Sequence, residues 1–200
     1  MYDPNSAIPE SAKPALWRRY DDWRGERHRN FVRRNARRMP QWRTRRGYRT
    51  VVCLQLACIV VLLAGAITAF VSKSWFLLPF ILGVGGIIIC QRILRIITGS
   101  IGDAPVTALD EIQLAQRNSA RSIAFFALFS LMFIPYLLLI ALSLRDTVSG
   151  NAVYGVAVVT ISLMLVAGVL PSMLTAWWMA DADPEDFSEN DSSTADPTNP

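Results

Sequence analysis

A single histidine, three cysteines and a few carboxylates are what this 200-residue chain offers for chemistry. His28 stands among arginines, so no pair of imidazoles exists to ligate a haem or build a histidine-based metal centre. Cys53, Cys58 and Cys90 lie in apolar stretches with no C-x-x-C spacing, which reads as small buried apolar residues rather than metal or redox ligands. Asp103, Asp110 and Glu111 are the carboxylates of the central polar stretch, and no carboxylate interrupts an apolar block. Proton-driven pumps keep ionisable groups inside their spans because such groups are costly there and retained for work. Gly83-Val84-Gly85-Gly86 does not make a dinucleotide loop, since Ile88 stands where the third glycine belongs and an apolar block surrounds it. The expectation is a non-enzymatic protein with no catalytic residue, no metal and no cofactor.

The elements that carry these residues are membrane spans. The chain is 52% hydrophobic and 18% charged, where an ordinary globular domain is about 25% charged. Residues 51–71 hold no charge and at about 1.5 Å rise per residue reach roughly 31 Å, the thickness of a bilayer's hydrocarbon core. The block also exceeds the roughly 7–15 residues of a signal-peptide core, which argues for a span rather than a cleaved leader. Further spans are expected at 75–97, 123–144 and 153–179. The second ends in Arg92 and Arg95, whose stems can lie on hydrocarbon while their heads reach phosphate. Pro79, Pro135 and Pro171 fall in three different spans and can kink them. The fold class expected is all-α: a four-helix transmembrane bundle made of two helical hairpins, with a basic N-terminal cytosolic segment and a disordered acidic tail. Gly65, Gly83, Gly85, Gly86 and Gly168 are expected to pack helices closely, because packing must supply cohesion where lipid removes the hydrophobic drive. Gln55, Thr160, Ser162 and Ser172 can bond across helices.

Charge sorts by region. Residues 1–49 hold 14 Lys and Arg against five Asp and Glu, residues 50–180 hold six against four, and residues 181–200 hold seven acids and no base. The positive-inside rule then places both termini on the cytoplasmic side of the cell membrane. In the head, Trp17, Tyr20, Trp23 and Phe31 interleave with arginines, the composition of an interfacial anchor on anionic lipid. Trp17, Tyr20, Trp23, Arg43, Arg45, Arg46, Arg49, Arg92 and Arg95 are therefore expected to touch anionic headgroups or a partner, with Gly25 a break in the head helix. Nucleic acid is disfavoured for want of a motif. The tail, 181–200, has the composition of disorder and the charge to attract the head.

Between the second and third spans, Thr107 and Asp110 have capping-box spacing for an amphipathic helix over about 107–122 on the inner membrane surface. Asp103-Ala104-Pro105, Leu109-Asp110-Glu111, Arg117 and Ala120-Arg121 resemble the LDERE-like cytosolic linker of small uncharacterised bacterial four-span integral membrane proteins. Ile112 and Gln113 depart from that pattern. The resemblance covers about 20 residues and implies a four-span architecture and no particular reaction. Together these readings point to a membrane accessory or scaffold protein docking on a larger membrane or envelope complex. The alternative is a subunit of a transporter or channel.

Overall fold

The computed structural model describes residues 14–35, 39–104, 109 and 111–180. The acidic tail and the proposed cap at Thr107 and Asp110 lie outside them. The described residues form five α-helices, α1 (Ala15–Asn35), α2 (Arg45–Thr68), α3 (Leu77–Ile97), α4 (Glu111–Ser143) and α5 (Gly150–Trp178), with short 3-10 turns at Pro40–Trp42 and Ile101–Asp103 and no strand among them. Helices α2 to α5 are each long and apolar enough to cross a membrane. The chain is thus an all-α, multi-pass membrane protein built from two hairpins, α2–α3 and α4–α5, with α5 also lying along α2.

Local chemistry sets the helix ends. Thr44 Oγ1 accepts from the Gly47 N–H at 3.2 Å and starts α2 six residues before the uncharged run. Ser149 Oγ caps α5 in the same way on Ala152. Helix α3 closes in a Schellman turn: Ser100 N–H bonds the Arg95 carbonyl at 2.9 Å, Gly99 N–H reaches that of Ile96, and Gly99 takes φ +62°, which glycine adopts without penalty. Ser100 follows at φ 60°.

Packing between α2 and α3 follows one seam. Tyr48, Val52, Gln55, Ile59, Leu62, Ala66 and Ala69 are all buried, at alternating steps of four and three. Phe76, Gly83, Ile87, Cys90, Leu94 and Ile97 face them, and partly buried Phe80 completes the same alternation. That is the seven-residue repeat of helices that wind about each other knob into hole. The two runs pair antiparallel. A Cβ on Gly65 would meet the Phe80 backbone at 2.8 Å, one on Gly83 the Leu62 backbone at 2.7 Å, and one on Gly86 the Cys58 Sγ at 2.5 Å. Tyr48 Oη donates to the Ile97 carbonyl at 3.5 Å at the far end of the seam.

Three sequence expectations change. The linker helix expected over 107–122 and the span expected over 123–144 are one 33-residue helix, α4. No proline or glycine separates them, and Ala115, Ala120, Ala124 and Ala127 favour continuation. At about 50 Å long it outreaches a hydrocarbon core of roughly 30 Å. Its polar first turns extend along the span axis, where Arg117 donates to the Ala104 carbonyl and Arg121 to that of Gly102, both at 2.7 Å. Pro79, in turn, occupies the first turn of α3, where a missing N–H leaves no bond unmade. Pro135 and Pro171 do lie inside helices. Gly25 interrupts nothing, since α1 runs through it.

Candidate functional site at the basic end of the bundle

The alternation of helices brings the start of α2, the end of α3, the start of α4 and the end of α5 to one end of the molecule. Arg45 and Arg49, one helical turn apart, share a face of α2. Trp177 and Trp178 close α5 opposite them, and the first turns of α4 supply Ile112, Ala115, Gln116 and Ser119. These eight residues line an open cleft of about 750 Å³. The Arg49 guanidinium lies 5.0 Å from the centroid of the Trp177 ring, within reach of a cation–π attraction. Its Nε is buried and makes no hydrogen bond. No carboxylate is among the lining residues. The site thus combines two fixed positive charges, two polar side chains on α4 and an apolar wall.

Around this cleft the other predicted contact residues take different places. Arg95 extends over the Phe31 ring at 5.9 Å, and Arg43 donates to the Asn35 carbonyl at 3.1 Å. Those two arginines tie the C-terminal turns of α1 to the bundle. Arg46 and Arg92 are exposed. Tyr20 and Trp23 are exposed on α1, their rings 5.9 Å apart, with Arg27 over Trp23 at 5.1 Å. The side chain of Trp17 lies outside the described set. A second open groove, about 610 Å³, runs along α1 past Trp23, Arg27, Phe31 and Arg34.

Of the glycines expected to pack, Gly65, Gly83 and Gly86 do so. Gly85 and Gly168 do not, since a Cβ on either would meet nothing within 4 Å. Gly85 is turned off the α2–α3 seam and Gly168 faces out from α5, and a small-residue spacing carries no direction. Gly155 was not expected to pack, yet the Phe70 ring covers it at 2.6 Å from an added Cβ and so joins the α2–α3 connection to α5. Gly47 sits against the backbone of Trp42. Inside the bundle, Gln55 Nε2 donates to Gln91 Oε1 at 3.2 Å, and Gln91 Nε2 donates to Ser172 Oγ at 2.7 Å, a polar chain across three spans. Gln91 was legible only as the end of an uncharged run. Thr160 and Ser162 bond carbonyls of their own helix instead. Cys53 is exposed, Cys58 half-buried and Cys90 buried, all free thiols. Among the described residues no three His, Cys, Asp or Glu side chains gather to hold a metal.

Comparison with protein-family models, with curated proteins and with solved structures finds no match to this chain.

Proposed function

We propose that this chain is a non-enzymatic accessory or scaffold protein of a bacterial inner membrane, with both termini cytoplasmic, that docks on a larger membrane or envelope complex and steadies itself on anionic lipid. One observation carries the docking. Helix α4 packs along α5 and leaves most of its surface uncovered: 11% of its most apolar stretch is buried, against 39% for α2 and 33% for α5. Phe125, Phe126, Phe129 and Phe133 all point outward from it. Aromatic side chains are enriched where membrane and soluble proteins meet partners, since each brings a large rigid contact area. The basic end, with its arginines and tryptophans at the helix termini, supports the lipid contact.

A photo-crosslinker placed at Phe129 in native membranes tests this reading. The expected product is a stoichiometric adduct to one larger membrane protein, absent when the crosslinker sits at buried Ala124. A chain that purifies as a lone monomer and crosslinks only to lipid at Phe129 overturns it. The Gln55–Gln91–Ser172 chain favours a second reading, a transporter or channel subunit, because polar groups in spans can line a path. Ion flux into proteoliposomes that falls on Gln91→Leu would favour that reading instead.

A further inference from the structure

We propose that the cleft between α2, α4 and α5 is a discrete site for one anionic phospholipid, its phosphate held by Arg49 and Arg45 and its glycerol end against Trp177 and Trp178. The inference deepens the lipid contact proposed above and rests on it. Helix stability prefers acids at an N-terminus, because the macrodipole is positive there. Helix α2 does the reverse, placing Arg45, Arg46 and Arg49 in its first two turns. Like charge on the positive end of a dipole is relieved by a bound anion, and a phosphate at a helix N-terminus is a recurrent solution. Arg49 is the anchor. Its half-buried side chain lines the cleft with the guanidinium 5.0 Å from the Trp177 ring centroid, while Arg45 already makes an interaction within the chain. Gln116 and Ser119 supply further hydrogen-bonding groups from α4.

The apolar half of the lining chooses the source of the phosphate. Ile112, Ala115 and two indole rings offer nothing to a free, fully hydrated anion, but they match the glycerol and first methylenes of a lipid. They also offer little to the chain's own acidic tail, which begins at 181 and holds Phe187 as its one aromatic residue. The cleft lies at the helix termini, the depth at which tryptophan belts meet headgroups.

Native mass spectrometry of the full-length protein in mild detergent, with phosphatidylglycerol or phosphatidylcholine added, tests the site. One phosphatidylglycerol is expected to be retained, at least tenfold more than phosphatidylcholine. Arg49→Gln is expected to reduce that occupancy about tenfold, while Lys73→Gln, exposed in the connection at the opposite end of the bundle, leaves it unchanged. Ser119→Trp, which fills the cleft from an exposed position, is expected to act like Arg49→Gln and guards against a folding defect in the latter. Millimolar inorganic phosphate should not displace the adduct; displacement would make the ligand a free phosphate and overturn the lipid assignment. A ladder of phosphatidylglycerol adducts indifferent to both cleft variants overturns the discrete site but leaves the general attraction of the basic head for anionic lipid standing. Equal retention of both lipids overturns both. An adduct that forms only after residues 181–200 are removed makes the tail the occupant and also overturns the proposal.

Discussion

At Gly83 the α2 backbone leaves no room for a side chain, because an added Cβ would lie 2.7 Å from Leu62 N, Cα and Cβ. Backbone cannot swing aside as a long side chain can, so Gly83→Leu must push the two helices apart. The expected cost is about 1–3 kcal/mol, the usual scale of overpacking, seen as a lower midpoint of thermal unfolding in detergent. Gly168→Leu, with nothing within 4 Å, should leave the midpoint in place. The sequence placed both glycines in the same class, since residue type records what is small but not which way it faces. The buried polar chain makes a second residue-scale prediction. Gln91 bonds both Gln55 and Ser172, so a double-mutant cycle on Gln55→Leu and Gln91→Leu should return a coupling of about 0.6 kcal/mol, the average for interhelical bonds in a bilayer. A coupling of zero would mean the two amides find other partners.

Among the elements, the α2–α3 seam is the clearest case of order hidden by composition. Its seven-residue repeat runs from Tyr48 to Ala69 and from Phe76 to Ile97. In a soluble helix such a repeat stands out against polar neighbours. Here the neighbours Leu54, Val60, Ile81 and Ile88 are equally apolar because they face outward from the bundle, so the period has no contrast. Lipid tails are as apolar as leucine, and the seam is held by close contact and hydrogen bonds rather than by removal from water. The start of α2 was not legible from charge, because the helix begins at Arg45, within the basic segment, on a cap supplied by Thr44. Thr44→Ala removes the bond to Gly47 and is expected to cost about 1 kcal/mol, with loss of helical signal confined to the first turn of α2. In α4, Arg117 and Arg121 hold the carbonyls of Ala104 and Gly102. Arg117→Ala with Arg121→Ala should therefore speed proteolysis in the 98–104 segment, with the four spans left intact. Unchanged cleavage would show that the segment is held from elsewhere.

For the whole molecule, the two hairpins place the 69–76 and 144–149 connections at one end and the start of α2, the end of α3, the start of α4 and the end of α5 at the other. Aromatic contacts mark the first end too, where Tyr154 stands edge-on to Phe76 at 5.4 Å. With the basic end inward, cysteines introduced at Ser74 and Val148 should react with an impermeant maleimide added outside intact cells. One at Asn118 should react only after lysis, with Cys53, Cys58 and Cys90 replaced by serine throughout. Labelling of Asn118→Cys from outside would invert the orientation.

The sequence alone determined how many helices are apolar enough to span, their order as two hairpins and the separation of charge by region. Those properties are one-dimensional: length against bilayer thickness, and the count of charges on each side of a span. Only the tertiary structure decided which apolar face is inside. It turned Gly83 inward and Gly168 outward, joined Gln91 to Gln55 and Ser172, made the linker and third span a single helix, and closed Arg49 against Trp177. In a bilayer both faces of a helix are chemically alike, so the choice between them rests on shape and on a few hydrogen bonds. Residues 49 and 177 meet only once α5 packs along α2.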